Sequence, residues 1–335
     1  MNFKINKNTK IYVACPANVA TGGPELLHQL VHKMNLFGIN AKMFYYPNNI
    51  ENPVHKFYKK YNNAFVREIE DDENNILIVP EVKTDLIYKY NKIKKIIWWL
   101  SVDNFTGYPK NVKKTIKIIL KKITKPKSFY NFEDLPNLYH LVQSYYAKNY
   151  LLKKGIKKEK IDYLSDYLNP LFIEKQLKNK NKLQKENIVV YNPKKGYQFT
   201  KKIIKNAPDI KFVPIINMTP EEVADLLLKA KVYIDFGNHP GKDRIPREAA
   251  ISNCCVIVGK RGSAQFKEDV PIDDEYKFDV KSKNISNIIN KIRYLLDNYD
   301  YEIKKFENYR NFILAEEKNF EQDIKRIFVL EELEK

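Results

Sequence analysis

The chain has 335 residues, 44% hydrophobic and 13% aromatic, which is enough apolar material for two cores rather than one. Its formal net charge is +18, yet no zinc-finger, RNA-recognition or basic-zipper spacing accompanies that charge, so the expected partner is an anionic substrate or membrane surface and not nucleic acid. No apolar run is long enough to span a bilayer, the start MNFKINKNTKIYVAC lacks a signal-peptide core, and three cysteines without metal or disulfide spacing suit a reducing cytoplasm.

The N-terminal half alternates apolar strands with helices. Lys10 to Cys15 predicts a first strand. A loop with Gly22 and Gly23 then opens a helix, in which Leu26, Leu27, Leu30, Val31 and Met34 recur at helical spacing before a stop at Gly38. Further strands are predicted over Ala41 to Tyr46, Asn75 to Pro80, Lys95 to Ser101 and Tyr139 to Gln143, and a helix over Ser144 to Lys154. Trp98 and Trp99 point to opposite faces of the sheet, so one of them is expected in the core. Between these elements, Lys110 to Lys127 sets Ile116, Ile119 and Ile123 on one helical face and Lys113, Lys114, Lys117 and Lys121 largely opposite. That pattern suits an anionic membrane surface, and equally a helix packed on the sheet with a solvated lysine face.

Residues 163–180 break the rhythm. Asn169-Pro170 disfavours helix there, and the domain junction is placed in this stretch, giving domains over 1–168 and 169–310 and a C-terminal helix over 311–335 that packs back towards the first. A second alternation begins at Asn187: the strand IVVYN, a helix over Gly196 to Asn206, and a strand over Ile210 to Ile215. Thr219 and Glu222 form a capping box for the next helix. A strand over Val232 to Phe236, a helix opening at Ile245 or Pro246 and a strand over Cys254 to Val258 follow, and residues 283–333 read as helices only. The class is α/β, with two doubly wound Rossmann-like domains facing a cleft and helices at the C-terminus.

In such sheets ligands sit where a strand's carboxyl end enters a helix. Three segments qualify. The loop after Phe236 holds His239, Gly241, Lys242, Asp243 and Arg244, with Arg247 and Glu248 in the first helical turn. A helix N-terminus beside such cations suits a diphosphate, and Glu248 can accept hydrogen bonds from a ribose. Lys194, Lys195 and Gly196 lie at the end of an earlier strand. With Arg244 or Lys242, these lysines can stabilise negative charge on a bound diphosphate and stand in for a divalent metal. His239 is the candidate for a donor phosphate or an acceptor group. In the first domain Asn18, Gly22, Gly23, Ser101 and Asp103 are candidates for holding an acceptor. Asp103 is a carboxylate suited to act as a base, and equally to cap a turn. No histidine and carboxylate spacing suggests a bound metal, and none is expected.

TGGPELLHQL, YNPKKG, MTPEEVADLLLKAKVYIDFG and IPREAAISNCCVIVG, taken together, resemble the GT-B glycosyltransferases, most closely the family-4-like branch, known as glycosyl transferases group 1. The resemblance implies transfer of a sugar from a nucleotide-sugar donor to a glycan or lipid-linked acceptor in cell-surface polysaccharide or glycoconjugate assembly. It implies a cytoplasmic enzyme, peripheral on the inner face of the membrane, with no cofactor beyond its sugar nucleotide, and it puts Glu248 at the ribose-binding glutamate. The chain departs from the family at Pro240, where a first glutamate is usual, and at Asn253 to Cys255, which replace a glycine and a proline. A His-Pro pair also occurs in bacterial sialyltransferases, but here it lies one strand too late for a close match. The alternative from another class is a non-catalytic nucleotide or glycan binding protein of the same fold.

Overall fold

A computed structural model describes residues 2–106, 120, 124, 130–133, 135, 137–179 and 184–331. It divides into two units: residues 1–166 with 318–335, and residues 167–317. The lysine-rich segment from Lys110 to Lys127 lies outside the described residues, apart from Leu120 and Thr124.

The first unit is built on a seven-stranded sheet in the order β4-β3-β2-β5-β6-β7-β8, with every pairing parallel. Its strands are β2 (Ile11–Pro16), β3 (Ala41–Tyr46), β4 (Phe65–Val66), β5 (Ile76–Pro80), β6 (Lys94–Trp99), β7 (Tyr139–Val142) and β8 (Ile161–Tyr163). A parallel sheet is covered on both faces, so its strands read as continuous apolar runs. This corrects one expectation: Trp98 and Trp99 are both fully buried, although they point to opposite faces. Each indole N–H has a partner, Leu164 O at 3.0 Å for Trp98 and His140 Nδ1 at 3.0 Å for Trp99. Burial pushes the His140 pKa down to about 3, so its ring stays neutral and able to accept that bond.

Helix α1 (Gly22–Leu36) follows β2 and ends at Gly38, whose φ of 77° is a conformation that glycine adopts without strain. A short helix α2 (Val102–Thr106) follows β6, and α3 (Tyr145–Lys153) follows β7 with Ser144 capping the Ala147 N–H. Strand order reverses between β2 and β5, so the loops leaving these two strands flank the switch point of this sheet.

The first unit is closed by the ends of the chain. β1 (Phe3–Ile5) pairs in parallel with β14 (Phe328–Leu330), and the rings of Phe3 and Phe328 stack at 5.9 Å. The C-terminal region is therefore not helical throughout, as its sequence suggested. Three residues are too few to show a strand period, and Phe328 sits on the apolar spacing of the helix before it.

The second unit carries a five-stranded parallel sheet in the order β10-β9-β11-β12-β13. The strands are β9 (Glu186–Tyr191), β10 (Lys211–Pro214), β11 (Ala230–Asp235), β12 (Cys255–Gly259) and β13 (Lys277–Phe278). Helix α4 (Pro170–Asn179) precedes them and corrects a second expectation. Pro170 starts a helix because a first-turn proline needs no N–H partner, and Asn169 Oδ1 accepts the Leu171 N–H at 3.1 Å. Helices α5 (Tyr197–Lys205), α6 (Pro220–Lys229) and α7 (Arg244–Ile251) follow β9, β10 and β11. The capping box on α6 is present, with Thr219 N donating to Glu222 Oε2 at 2.7 Å and Glu222 N to Thr219 Oγ1 at 3.2 Å. Half-buried Lys185 donates to Leu227 O, Ala230 O and Ser252 O, so one ammonium serves the C-terminal ends of both α6 and α7. Here the switch point falls between β9 and β11.

The terminal strand pair gives a direct test. Phe328 is 1% exposed. Phe328→Ala is expected to destabilise the first unit by about 3–5 kcal/mol, the usual range for truncating a buried aromatic ring. Urea unfolding followed by fluorescence of the first unit's Trp98 and Trp99 reads this, and an unchanged midpoint would count against the pairing.

Candidate functional site

In the second unit, the carboxyl ends of β9, β11 and β12 meet through their loops. The loop Asn192–Gly196 leaves β9, the loop Phe236–Asp243 leaves β11, and Lys260–Ser263 leaves β12. Gly196, at φ 63°, lies so close to the next loop that a Cβ would stand 2.5 Å from Gly237 N and from Phe236 C. A Cβ on Gly237 would likewise meet Lys195 Cβ at 2.4 Å. Gly262, at φ 56°, packs on the carbonyl of His239, which accepts the Ser263 N–H at 2.9 Å. Ser263 Oγ donates to Gly241 O at 2.6 Å. Glycines at these positions allow the three loops to touch backbone to backbone.

Charged side chains fix the loop further. Arg247 donates to Lys242 O at 2.9 Å, to Asp243 O at 3.2 Å and to Glu316 Oε2 at 2.8 Å. Lys242 Nζ lies 2.7 Å from Glu316 Oε1, with both side chains almost fully buried. Lys242 is therefore spent inside the unit and offers no ammonium at the surface. Arg244 is half-buried at the first position of α7, Gly241 is buried, and Glu248 is 9% exposed one turn further on.

Lys195 Nζ lies 2.6 Å from Asp243 Oδ2. Asp243 is the N-cap of α7 but makes no side-chain cap bond, because its carboxylate is turned to Lys195 and His239. The His239 ring is fully buried, with Nδ1 at 3.2 Å from Asp243 Oδ2 and Nε2 at 3.7 Å from Asp235 Oδ1. Both nitrogens thus face carboxylates of the same unit, and neither is presented to a ligand. Asp235 in turn accepts from Tyr233 OH at 3.0 Å and from Gly237 N at 2.8 Å. Asp235, His239 and Asp243 could each bring one atom to a shared cation, all within 4.8 Å. The ring, however, turns a different nitrogen to each carboxylate, and the Lys195 ammonium already holds Asp243.

Beside the β9 loop lies a recess of about 430 Å³ lined by Lys194, Gly196, Lys202, Arg261 and Ser282 among others. No acidic side chain is in its lining. Lys194 and Arg261 are exposed. Arg261 and Lys202 were not singled out by sequence. The glycine that follows Arg261 and the strand before it were the available signal.

In the first unit, the candidates spread along the carboxyl edge of the sheet. Asn18 (φ 55°) donates from its side chain to Asn52 O at 3.0 Å, and Gly22 and Gly23 form the first turn of α1. A Cβ on Gly23 would meet Leu100 Cδ1 at an ordinary 3.6 Å, so this glycine is not required by contact. Ser101 and Asp103 are buried, and Asp103 Oδ1 accepts from Tyr146 OH at 2.8 Å. A recess of about 540 Å³ near Asn18 is lined by Asn52, Asn62, Tyr58, Phe65 and others.

Glu81, which sequence did not single out, sits at the switch point at the end of β5. Its carboxylate accepts the Leu100 N–H at 2.9 Å and is 2% exposed. Burial pushes its pKa up to about 7, against backbone N–H groups of Leu100, Glu81 itself and Ser101 that favour the charged form. The apolar strand ending in Val79-Pro80-Glu81 was visible, but a single acid after a strand reads as a turn residue.

No protein-family model matches the chain. It is 24% identical over 337 residues to the alpha-1,6-glucosyltransferase of Actinobacillus pleuropneumoniae serotype 7 (strain AP76), with 96% of this chain and 95% of that protein covered. In fold it is similar to sucrose-phosphate synthase from Thermosynechococcus elongatus, with TM-score 0.64, 13% identity, and coverage of 95% of this chain and 97% of that one. A glycosyltransferase from Rickettsia africae gives TM-score 0.60 at 15% identity, covering 95% and 98%. The chain has the GT-B fold that these two structures share. Among the described residues, no helix is long and apolar enough to cross a membrane.

The Glu81 carboxyl gives a pH prediction. Its folded pKa is raised from 4.5 to about 7, so the folded state holds the proton more tightly than the unfolded state. Stability is then lost as pH rises through that window, and the loss is complete above it. Glu81→Gln removes the titration. Its stability relative to the parent should rise by up to about 3 kcal/mol between pH 4.5 and pH 8. Parallel pH profiles of the melting temperatures would show that Glu81 has an ordinary pKa.

Proposed function

We propose that this chain is a glycosyltransferase that takes a hexosyl unit from a nucleoside diphosphate sugar, with UDP-glucose the first candidate, and passes it to a glycan or lipid-linked acceptor without a metal ion. The observation that carries this reading is the convergence of Lys195, Gly196, Gly241, Arg244 and Glu248 at one switch point, beside a recess with cations and no acid in its lining. Lys194 and Arg261 add charge where a diphosphate would lie. Glucose as the sugar is suggested by the name of the Actinobacillus relative, and uridine by Anabaena HepE, solved in complex with UDP-glucose (TM-score 0.58, 10% identity, 95% and 99% covered).

As the glycosidic bond breaks, negative charge grows on the leaving diphosphate. Fixed cations stabilise that charge more in the transition state than in the ground state. Glu248 in this reading accepts from the ribose hydroxyls. The acceptor is placed against the first unit, where the recess near Asn18 offers amides for hydroxyl groups and the half-exposed Phe65 ring for a sugar's C–H face. Asp103 is buried and its Oδ1 accepts from Tyr146 OH, so this reading puts the main source of rate on the donor-side cations and gives an acceptor base a secondary part.

A UDP-sugar panel tests the reading. Transfer or slow hydrolysis should be seen with UDP-glucose and should survive EDTA. Lys195→Ala and Arg244→Ala should each lower kcat by about 10²–10³, the range for removing one preorganised charge-stabilising group, with a smaller change in KM. Asp103→Asn should cost less than either. Activity abolished by EDTA and restored by magnesium would refute the metal-free part.

A lipid-linked acceptor is the source suggested by the lysine-rich segment from Lys110 to Lys127. If it meets an anionic leaflet, the protein should cosediment with phosphatidylserine vesicles at low salt and release near molar salt. Replacing Lys113, Lys114, Lys117 and Lys121 by glutamine should abolish this, and vesicle binding as strong as the parent's would exclude the segment.

A further inference from the structure

We infer that His239 is held as an imidazolium between Asp235 and Asp243, and that its charge keeps the Lys195 ammonium available to an anionic donor. It is a positioning residue, one step removed from the ligand. The inference rests on the proposed donor site.

The geometry allows little else. A neutral imidazole has one N–H and one lone pair, and the lone pair would have to face a carboxylate. Here both ring nitrogens face carboxylate oxygens, at 3.2 and 3.7 Å. Burial raises the Asp235 pKa, and the His239 charge, the Gly237 N–H that Asp235 accepts and Lys195 oppose that rise, while Tyr233 OH also donates to it. A ring that is fully buried and flanked in this way is stable with a proton on each nitrogen. Burial alone would lower the proton affinity of the ring, but Asp235 and Asp243 outweigh it and raise the pKa above the usual histidine value. Asp243 shows the converse: burial would raise its pKa, while His239 and Lys195 together hold it down.

The charges around the ring come from each element packed on it. Strand β11 contributes Asp235 and the phenol of Tyr233, and α7 contributes Asp243 at its cap, with Glu248 adding negative charge on the Tyr233 side. The β9 loop contributes Lys195. The β12 loop contributes the uncharged Gly262 and Ser263. Arg247 is turned to backbone carbonyls and Glu316.

The cluster of Asp235, Asp243, His239 and Lys195 is electrically balanced only while the imidazole is charged. If His239 loses its proton, the cluster carries one net negative charge. That excess negative charge beside Lys195 opposes the approach of a diphosphate. Because the folded pKa is raised, the charge is present below that pKa and is lost as pH rises through it.

The test uses the full chain labelled with ¹⁵N-histidine, with His239 assigned by its absence in His239→Gln. Long-range ¹H–¹⁵N correlation should show protons on both ring nitrogens at pH 7 and titration only above the ordinary histidine range. A neutral tautomer at pH 7 overturns the proposal, whether or not the chain binds any nucleotide. The second arm measures UDP affinity by calorimetry. His239→Gln should weaken it on the order of tenfold, the scale of about 1.4 kcal/mol, and should flatten its alkaline decline. The double variant Asp235→Asn, His239→Gln restores the charge balance and should recover most of the loss. A purely structural histidine would not be rescued in this way, so failure of rescue with both variants folded by circular dichroism refutes the charge role. Stoichiometric zinc binding by the parent, lost in His239→Gln, would also overturn it. If the parent binds no UDP while both ring nitrogens are protonated, the donor reading fails and the imidazolium assignment stands.

Discussion

The backbone contact between the β9 loop and the β11 loop is the constraint on which the second unit's chemistry depends. Gly196 and Gly237 permit it, and any Cβ at either position would collide with the opposite loop. The contact places Lys195 over the N-cap of α7 and brings Asp243 within 2.6 Å of its ammonium. Two loops from neighbouring strands thus behave as one body. The loop after β12 locks them from the other side through the His239 carbonyl. Geometry of this kind resists small displacements, which matters because electrostatic stabilisation of a leaving group depends on charges fixed in place.

The buried charges that shape this loop are paired inside the second unit. Glu316 meets Lys242 and Arg247, and Arg247 spends its remaining donors on carbonyls of the β11 loop. Removing one member of such a group leaves the others uncompensated, which is more damaging than replacing the whole group by apolar residues. Lys242 and Arg247 therefore hold the loop's shape, while Lys194, Lys195 and Arg244 remain nearer its surface. Sequence could not make this division, because lysines and arginines in one loop look alike until their partners are known, and Glu316 lies about seventy residues away.

Much of the fold was legible because a parallel sheet buries both faces. Runs such as Ile76–Pro80 and Cys255–Gly259 are apolar at every position and stand out from a lysine-rich background. Strands β1, β4, β8, β13 and β14 were not legible. With two or three residues each, they carry no period and exist through pairing alone. The candidate site was legible by location, since glycines and cations after strands point to ligand-binding edges. Roles were less so. His239 stood out by residue type, but its burial between two carboxylates arises from three loops that are separate in sequence. Asp235 and Glu81 passed as strand-end acids because their significance lies in what surrounds them.

The pairing of Phe3–Ile5 with Phe328–Leu330 bears on how the polypeptide is made. The first unit is interrupted in sequence by the whole second unit, and its last strand is synthesised after that unit. Residues 167–317 are synthesised in full before that strand exists, so the second unit can complete its sheet while the first still lacks β14. Domains emerging in order normally finish in order. Here the unit that begins earlier finishes later, and Phe3 waits for its partner until the second unit has been made.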